Sequence, residues 1–82
     1  MNEFVLKTMR QIDNPFLFTK NEMRNNADDA LYDDSIDWDT AWPAAEAAAD
    51  DDYLTANYWV DRYFKKTKEN KQDYINEVER LR

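Results

Sequence analysis

Not one of the 82 residues is glycine. Glycine takes positive φ at no steric cost, so its absence removes the ordinary residue for tight hairpin turns. Asn is the next best residue there, and it is plentiful. The expectation is an all-α domain of helices joined by short connections, one unit over residues 1–82. A chain this short buries only about 60–65% of its unfolded surface. Its twelve aromatic side chains therefore supply most of the available core.

Periodicity and caps place four helices, at about 3–12, 20–33, 41–65 and 70–81. In the first, Val5, Met9 and Ile12 share a face, and Pro15 pushes Asn14 out of the α region. Phe16-Leu17-Phe18 follows as an apolar plug for the core. Thr19-Lys20-Asn21-Glu22 reads as a capping box, with Phe18 and Met23 as a hydrophobic staple. Met23, Ala27, Ala30 and Leu31 then point inward. Ile36 and Trp38 are expected to pin the next connection. Asp39 or Thr40 caps the third helix, whose first turn tolerates Pro43. Its stripe of Ala45, Ala49, Tyr53, Ala56, Val60 and Phe64 is unbroken across Asp50-Asp51-Asp52, which predicts one continuous helix. After a solvated link at 65–69, Asn70 caps the last helix, with Tyr74, Ile75, Val78 and Leu81 inward.

Charge is distributed unevenly along these elements. Residues 25–61 hold eleven acids and no Lys or Arg, whereas residues 1–24 and 62–82 are net basic, and the total is −7. Solvated helices usually interleave both signs, since like charges four apart cost about 0.2–0.5 kcal/mol. Ten of the eleven acids are Asp, although Glu is the better helix former. Helix stability alone does not select this pattern. A short Asp side chain holds its carboxylate near the backbone with little rotamer entropy to lose on binding. Such an array offers a basic groove something like the charge density of a nucleic-acid backbone. The candidate partner-binding residues are Asp28, Asp29, Asp33, Asp34, Asp37, Asp39, Glu46, Asp50, Asp51 and Asp52. Asp61 belongs with its basic neighbours Arg62 and Lys65. The plain alternative is a surface that only keeps a small protein soluble.

Other chemistries have weaker support. Asp33, Ser35, Asp37 and Asp39 alternate like an EF-hand loop, but Trp38 stands where that loop needs Gly and Ala44 where it needs Glu. No metal and no cofactor is expected. Carboxylates abound, yet none is singled out for catalysis, and the chain reads as a non-enzyme. The bases from Arg62 to Lys71, with Tyr58, Trp59, Tyr63 and Phe64 nearby, could suggest nucleic-acid stacking. Tyr63 and Phe64 lie on the core stripe, however, and the acidic block repels phosphate, so direct nucleic-acid binding is not expected. Ala44 and Ala47 either allow close helix packing or form a flat exposed strip beside the carboxylates. The opening apolar run, Phe4 to Leu6, is too short for a signal peptide or a membrane span. A cytoplasmic protein is expected.

The opening Met1-Asn2-Glu3-Phe4-Val5-Leu6-Lys7-Thr8-Met9-Arg10, the Phe18–Met23 segment and the Ala/Asp/Tyr-rich middle resemble small acidic early proteins of large tailed phages. The likeness is compositional. It implies a DNA-mimic inhibitor of the anti-restriction or anti-CRISPR type in the host bacterial cytoplasm. The implied partner is a basic, nucleic-acid-binding protein of the host or its defence system. A competing expectation is a helical adaptor that docks through exposed Trp38, Trp42, Tyr58 or Trp59. A homodimer is compatible with either.

Overall fold

The computed structural model describes residues 1–33 and 37–82. Asp34 and Ile36, read above as an acidic-surface residue and an inward anchor, lie outside the described residues. Among the described residues there are five α-helices and no strand: α1 Glu3–Asp13, α2 Lys20–Leu31, α3 Trp38–Ala49, α4 Tyr53–Thr67 and α5 Lys71–Arg80.

The alanine-rich α3 is the axis of the molecule. It packs most extensively against α2 and α4, and also against α1. Ala41, Ala44, Ala45, Ala47, Ala48 and Ala49 are all buried. A helix flanked by three others can carry only small side chains if their backbones are to come close, and alanine costs no helix propensity. Ala44 and Ala47 are thus packing residues, and among the described residues there is no exposed alanine strip. Around α3 the core falls into three groups. Val5, Leu6, Ala41, Ala44, Val60, Tyr63, Phe64, Tyr74 and Val78 form the largest. Met23, Ala47–Ala49 and Ala56 form a second, with Phe18 packed against it, and Ala27, Ala30 and Ala45 a third under Phe4 and Trp42.

The expected long third helix is two helices. Asp52 N–H reaches Ala47 O at 2.9 Å, Asp51 N–H reaches Ala48 O at 3.2 Å, and Asp51 has φ 60°. This is a Schellman termination with Asp in the left-handed position usually given to glycine. Asp52 then caps α4, its carboxylate accepting from Thr55 N–H at 3.2 Å. The apolar stripe stays unbroken because α3 and α4 fold back on one another and bury the same face. Among the described residues the other left-handed one is Lys68, φ 62°, whose N–H donates to Phe64 O and ends α4. Chain reversals without glycine therefore fall to Asp and Lys, not to the expected Asn.

Local caps explain most other boundaries. Asn2 caps α1 through Phe4 and Val5 N–H, Thr19 caps α2 through Glu22 N–H, and Asn70 caps α5 through Gln72 N–H. Helix α3 begins at Trp38, earlier than expected, with Asp37 at the cap position but no side-chain capping bond. Pro43 consequently lies inside the helix and has no N–H to offer the carbonyl of Asp39. Trp38, at the first turn, is 41% exposed and lies against Trp42, ring centroids 5.9 Å apart. Leu31, the last residue of α2, is also partly exposed, because Met23, Asn26, Ala27 and Ala30 already fill the buried face.

The apolar plug is not one. Phe16 is 95% exposed and Leu17 is exposed, while Phe18 alone packs inward. Buried Gln11 sets this geometry: its amide donates to Pro15 O and Phe18 O and accepts from Phe18 N–H. That clamp fixes the loop backbone with Phe16 outside. Lys7 and Arg10 lie over the Phe18 ring, 4.8 and 5.1 Å from its centroid.

At the far side, α5 is joined to α1 and α4 by a polar knot. Tyr63 and Tyr74 are both almost fully buried, and each donates its hydroxyl to a different oxygen of Glu69, Tyr74 at 2.6 Å. The Tyr74 hydroxyl in turn accepts from Asn2 N–H at 2.6 Å. Burial and the adjoining Glu69 carboxylate push both phenols above their ordinary range.

Candidate functional site

The acidic residues are sorted by helix direction. Arg24 of α2 pairs with Asp50, just past the end of α3, at 2.6 Å. Lys66, near the end of α4, pairs with Asp39, at the start of α3, at 2.5 Å. Both pairs require α2 and α4 to run antiparallel to α3. The candidate residues therefore divide between the two ends of a twelve-residue helix about 18 Å long. Asp28, Asp29, Asp33, Asp37 and Asp39 lie where α2 ends and α3 begins. Asp50, Asp51 and Asp52 lie where α3 ends and α4 begins, with Glu46 one turn earlier. The continuous face suggested by the sequence is two lobes.

The two lobes differ in what holds them. In the α3–α4 lobe each Asp has a structural task. Asp50 ends α3 and meets Arg24; Asp51 takes the left-handed turn and accepts from the Tyr53 hydroxyl at 3.2 Å; Asp52 caps α4. The hydrogen bonds from Thr55 hold the Asp52 carboxyl below its ordinary value. In the α2–α3 lobe, Asp37 and Asp39 stand at the N-terminus of α3, where the helix dipole favours an anion. Asp28 and Asp29 stand in the last turn of α2, where it disfavours one, and no basic residue stands in that turn. Both are exposed, and Asp33, just beyond the helix, is half-buried. Among the described residues Asp28, Asp29, Asp33 and Asp37 form no ion pair. Asp61 pairs with Lys71 at 2.7 Å, not with Arg62 or Lys65 as expected.

The aromatic candidates separate as well. Trp42 and Trp59 are half-buried, and Trp38 and Tyr58 are exposed. Tyr63 and Phe64 are in the core and cannot stack on a base. Arg62 covers the rings of Tyr58 and Trp59, 5.6 and 5.9 Å from their centroids. Leu54 is 88% exposed one turn before Tyr58, itself 54% exposed. Sequence reasoning passed over Leu54; its spacing of four from Tyr58, off the core stripe of α4, is the signal that marks it.

Among the described residues no group of three or more Asp or Glu side chains converges as a metal site would require. The EF-hand-like stretch at 33–39 includes residues outside the described set. No helix among the described residues is long and apolar enough to cross a membrane. Comparisons with protein-family models, curated proteins and solved structures give no match.

Proposed function

We propose that this protein is a small acidic inhibitor that occupies the basic groove of a nucleic-acid-binding protein of a bacterial host or its defence system. On this reading it is a phage counter-defence protein acting by charge mimicry and not by catalysis. The observation that carries the reading is the position of Asp28 and Asp29. They crowd the C-terminal end of α2, exposed and without a basic partner among the described residues, where each works against the helix it sits on. Asp33, just beyond α2, and Asp37, at the start of α3, lie at the same end of α3. Carboxylates that oppose their own fold are explained by what they meet outside it. Opposed charge speeds association and makes affinity salt-dependent.

The test is displacement. Bacterial lysate is loaded on DNA-cellulose at low salt and the resin is washed with the purified protein. The reading expects particular proteins to elute with the wild-type chain and to stay bound when Asp28, Asp29, Asp33 and Asp37 are all changed to Asn. Raising the salt should weaken capture of those proteins by the immobilised wild-type chain. Equal elution by the two chains, or no elution at all, overturns it.

A further inference from the structure

The exposed face of α4 is self-complementary. Leu54 and Tyr58 lie on it one turn apart, 88% and 54% exposed. Towards the N-terminal end stand Asp51 and Asp52, both exposed, and towards the C-terminal end Arg62 and Lys65, both exposed. The acid nearest the middle, Asp61, is answered within the chain by Lys71. Lys65 has no ion pair among the described residues.

The positions are symmetric about Tyr58. Leu54 and Arg62 stand four residues to either side within the helix; Lys65 lies seven beyond, and Asp51 seven before, in the left-handed turn that precedes α4. If a second α4 is laid antiparallel across the first with the two Tyr58 rings at the centre, each Leu54 meets the aliphatic stem of an Arg62. Each Asp51 then meets a Lys65. A parallel arrangement would set acid against acid and base against base. We infer that this face is the two-fold interface of a homodimer, built by antiparallel packing of α4 on α4.

Two-fold contacts are isologous, so one patch must match itself, and this patch does. The fifteen-residue helix is about 22 Å long, so the contact falls at the small end of specific interfaces and the dimer is reversible. The inference is independent of the proposed function, whose carrying residues lie at the other end of α3.

Sedimentation equilibrium of the full chain at low salt tests it. Half-dimerisation is expected on the order of 100 µM. Leu54→Ser, at a site too exposed to affect folding, should raise the dissociation constant about tenfold or more. Asp51→Lys and Lys65→Glu should each leave the chain monomeric when alone. Mixed in equal amounts they should form a heterodimer, because both ends of that pair are again opposite in sign. Circular dichroism checks that both variants fold. Should Asp51→Lys fail to fold, Leu54→Ser and the salt dependence of the wild-type dimer decide. A chain that stays monomeric to about 1 mM overturns the inference. So does a dimer indifferent to Leu54→Ser, or folded charge variants that do not pair on mixing.

Discussion

Replacing Glu69 by Ala should cost this domain a large share of its stability. The side chain is half-buried and its two oxygens accept from the hydroxyls of Tyr63 and Tyr74, which are almost fully buried. Hydrogen bonds to a charged acceptor contribute about 1.5–3 kcal/mol each, and a buried donor left without a partner carries a desolvation cost. Two such bonds set a ceiling near 6 kcal/mol. Water can enter beside Glu69 and replace part of the loss, so about 3 kcal/mol is expected. A domain of this length has a total stability of roughly 4–12 kcal/mol, so the effect is not subtle. Thermal melting followed by circular dichroism should show a fall of ~15 °C. Urea titration of wild type, Glu69→Ala, Tyr74→Phe and the double variant closes a cycle, with an expected coupling of about 1–2 kcal/mol. Additive effects, or a loss below about 0.5 kcal/mol for Glu69→Ala, would refute the idea that the knot fastens α5 to α1 and α4.

Three further outcomes follow from the same structure. Changing Asp28 and Asp29 together to Asn should raise stability at low salt by about 1 kcal/mol, because each opposes the α2 dipole, and the gain should shrink as salt screens it; a loss of stability in melts at low salt would contradict this. Above the ordinary tyrosine value of 10.0, unfolded Tyr63 and Tyr74 lose protons that the folded state retains. Their contribution is thus complete below that pH and is lost as pH rises through the higher folded values, so their tyrosinate absorbance should appear together with loss of helical dichroism. Ala44→Leu should cost about 1–3 kcal/mol or more in urea, since Ala44 is fully buried where α3 meets the main core group, and a neutral result would mean that the helices around α3 are not close-packed.

The sequence made some of this structure legible and left other parts hidden for identifiable reasons. The helix starts at Lys20 and Lys71 could be read because Thr19 and Asn70 act on amides two or three residues away. The buried face of α4 could be read because apolar spacing survives any change in how helices are arranged. Those of α1 and α2 could be read only in part, because buried Thr8, Gln11 and Asn26 are polar and break the apolar pattern. The break between α3 and α4 could not, since its signal is a backbone angle at Asp51 that usually announces itself as glycine. The exposure of Phe16 depends on buried Gln11, a polar residue whose role appears only once its amide is seen holding Pro15 and Phe18. The charge pairs were hidden for a third reason. Arg24–Asp50 and Lys66–Asp39 join residues 26 and 27 positions apart, so counting bases within residues 25–61 missed the bases that folding brings to them.

Those long-range pairs alter what the acidic block means. Along the sequence all of its eleven acids but Asp61 looked equivalent, and the absence of bases among them was the argument for a binding surface. In the fold, Asp50, Asp51 and Asp52 end one helix and begin the next, Asp39 meets Lys66, Asp61 meets Lys71, and Asp37 gains from the dipole of α3. A purely structural account therefore covers most of the block. It does not cover Asp28 and Asp29, which form no ion pair with a described base and whose own helix end repels them. The electrostatic case for a basic partner rests on these few residues and not on the net charge of −7. It is a narrower claim, and the four substitutions at Asp28, Asp29, Asp33 and Asp37, none of which removes an ion pair or a side-chain capping bond of the described fold, can test it.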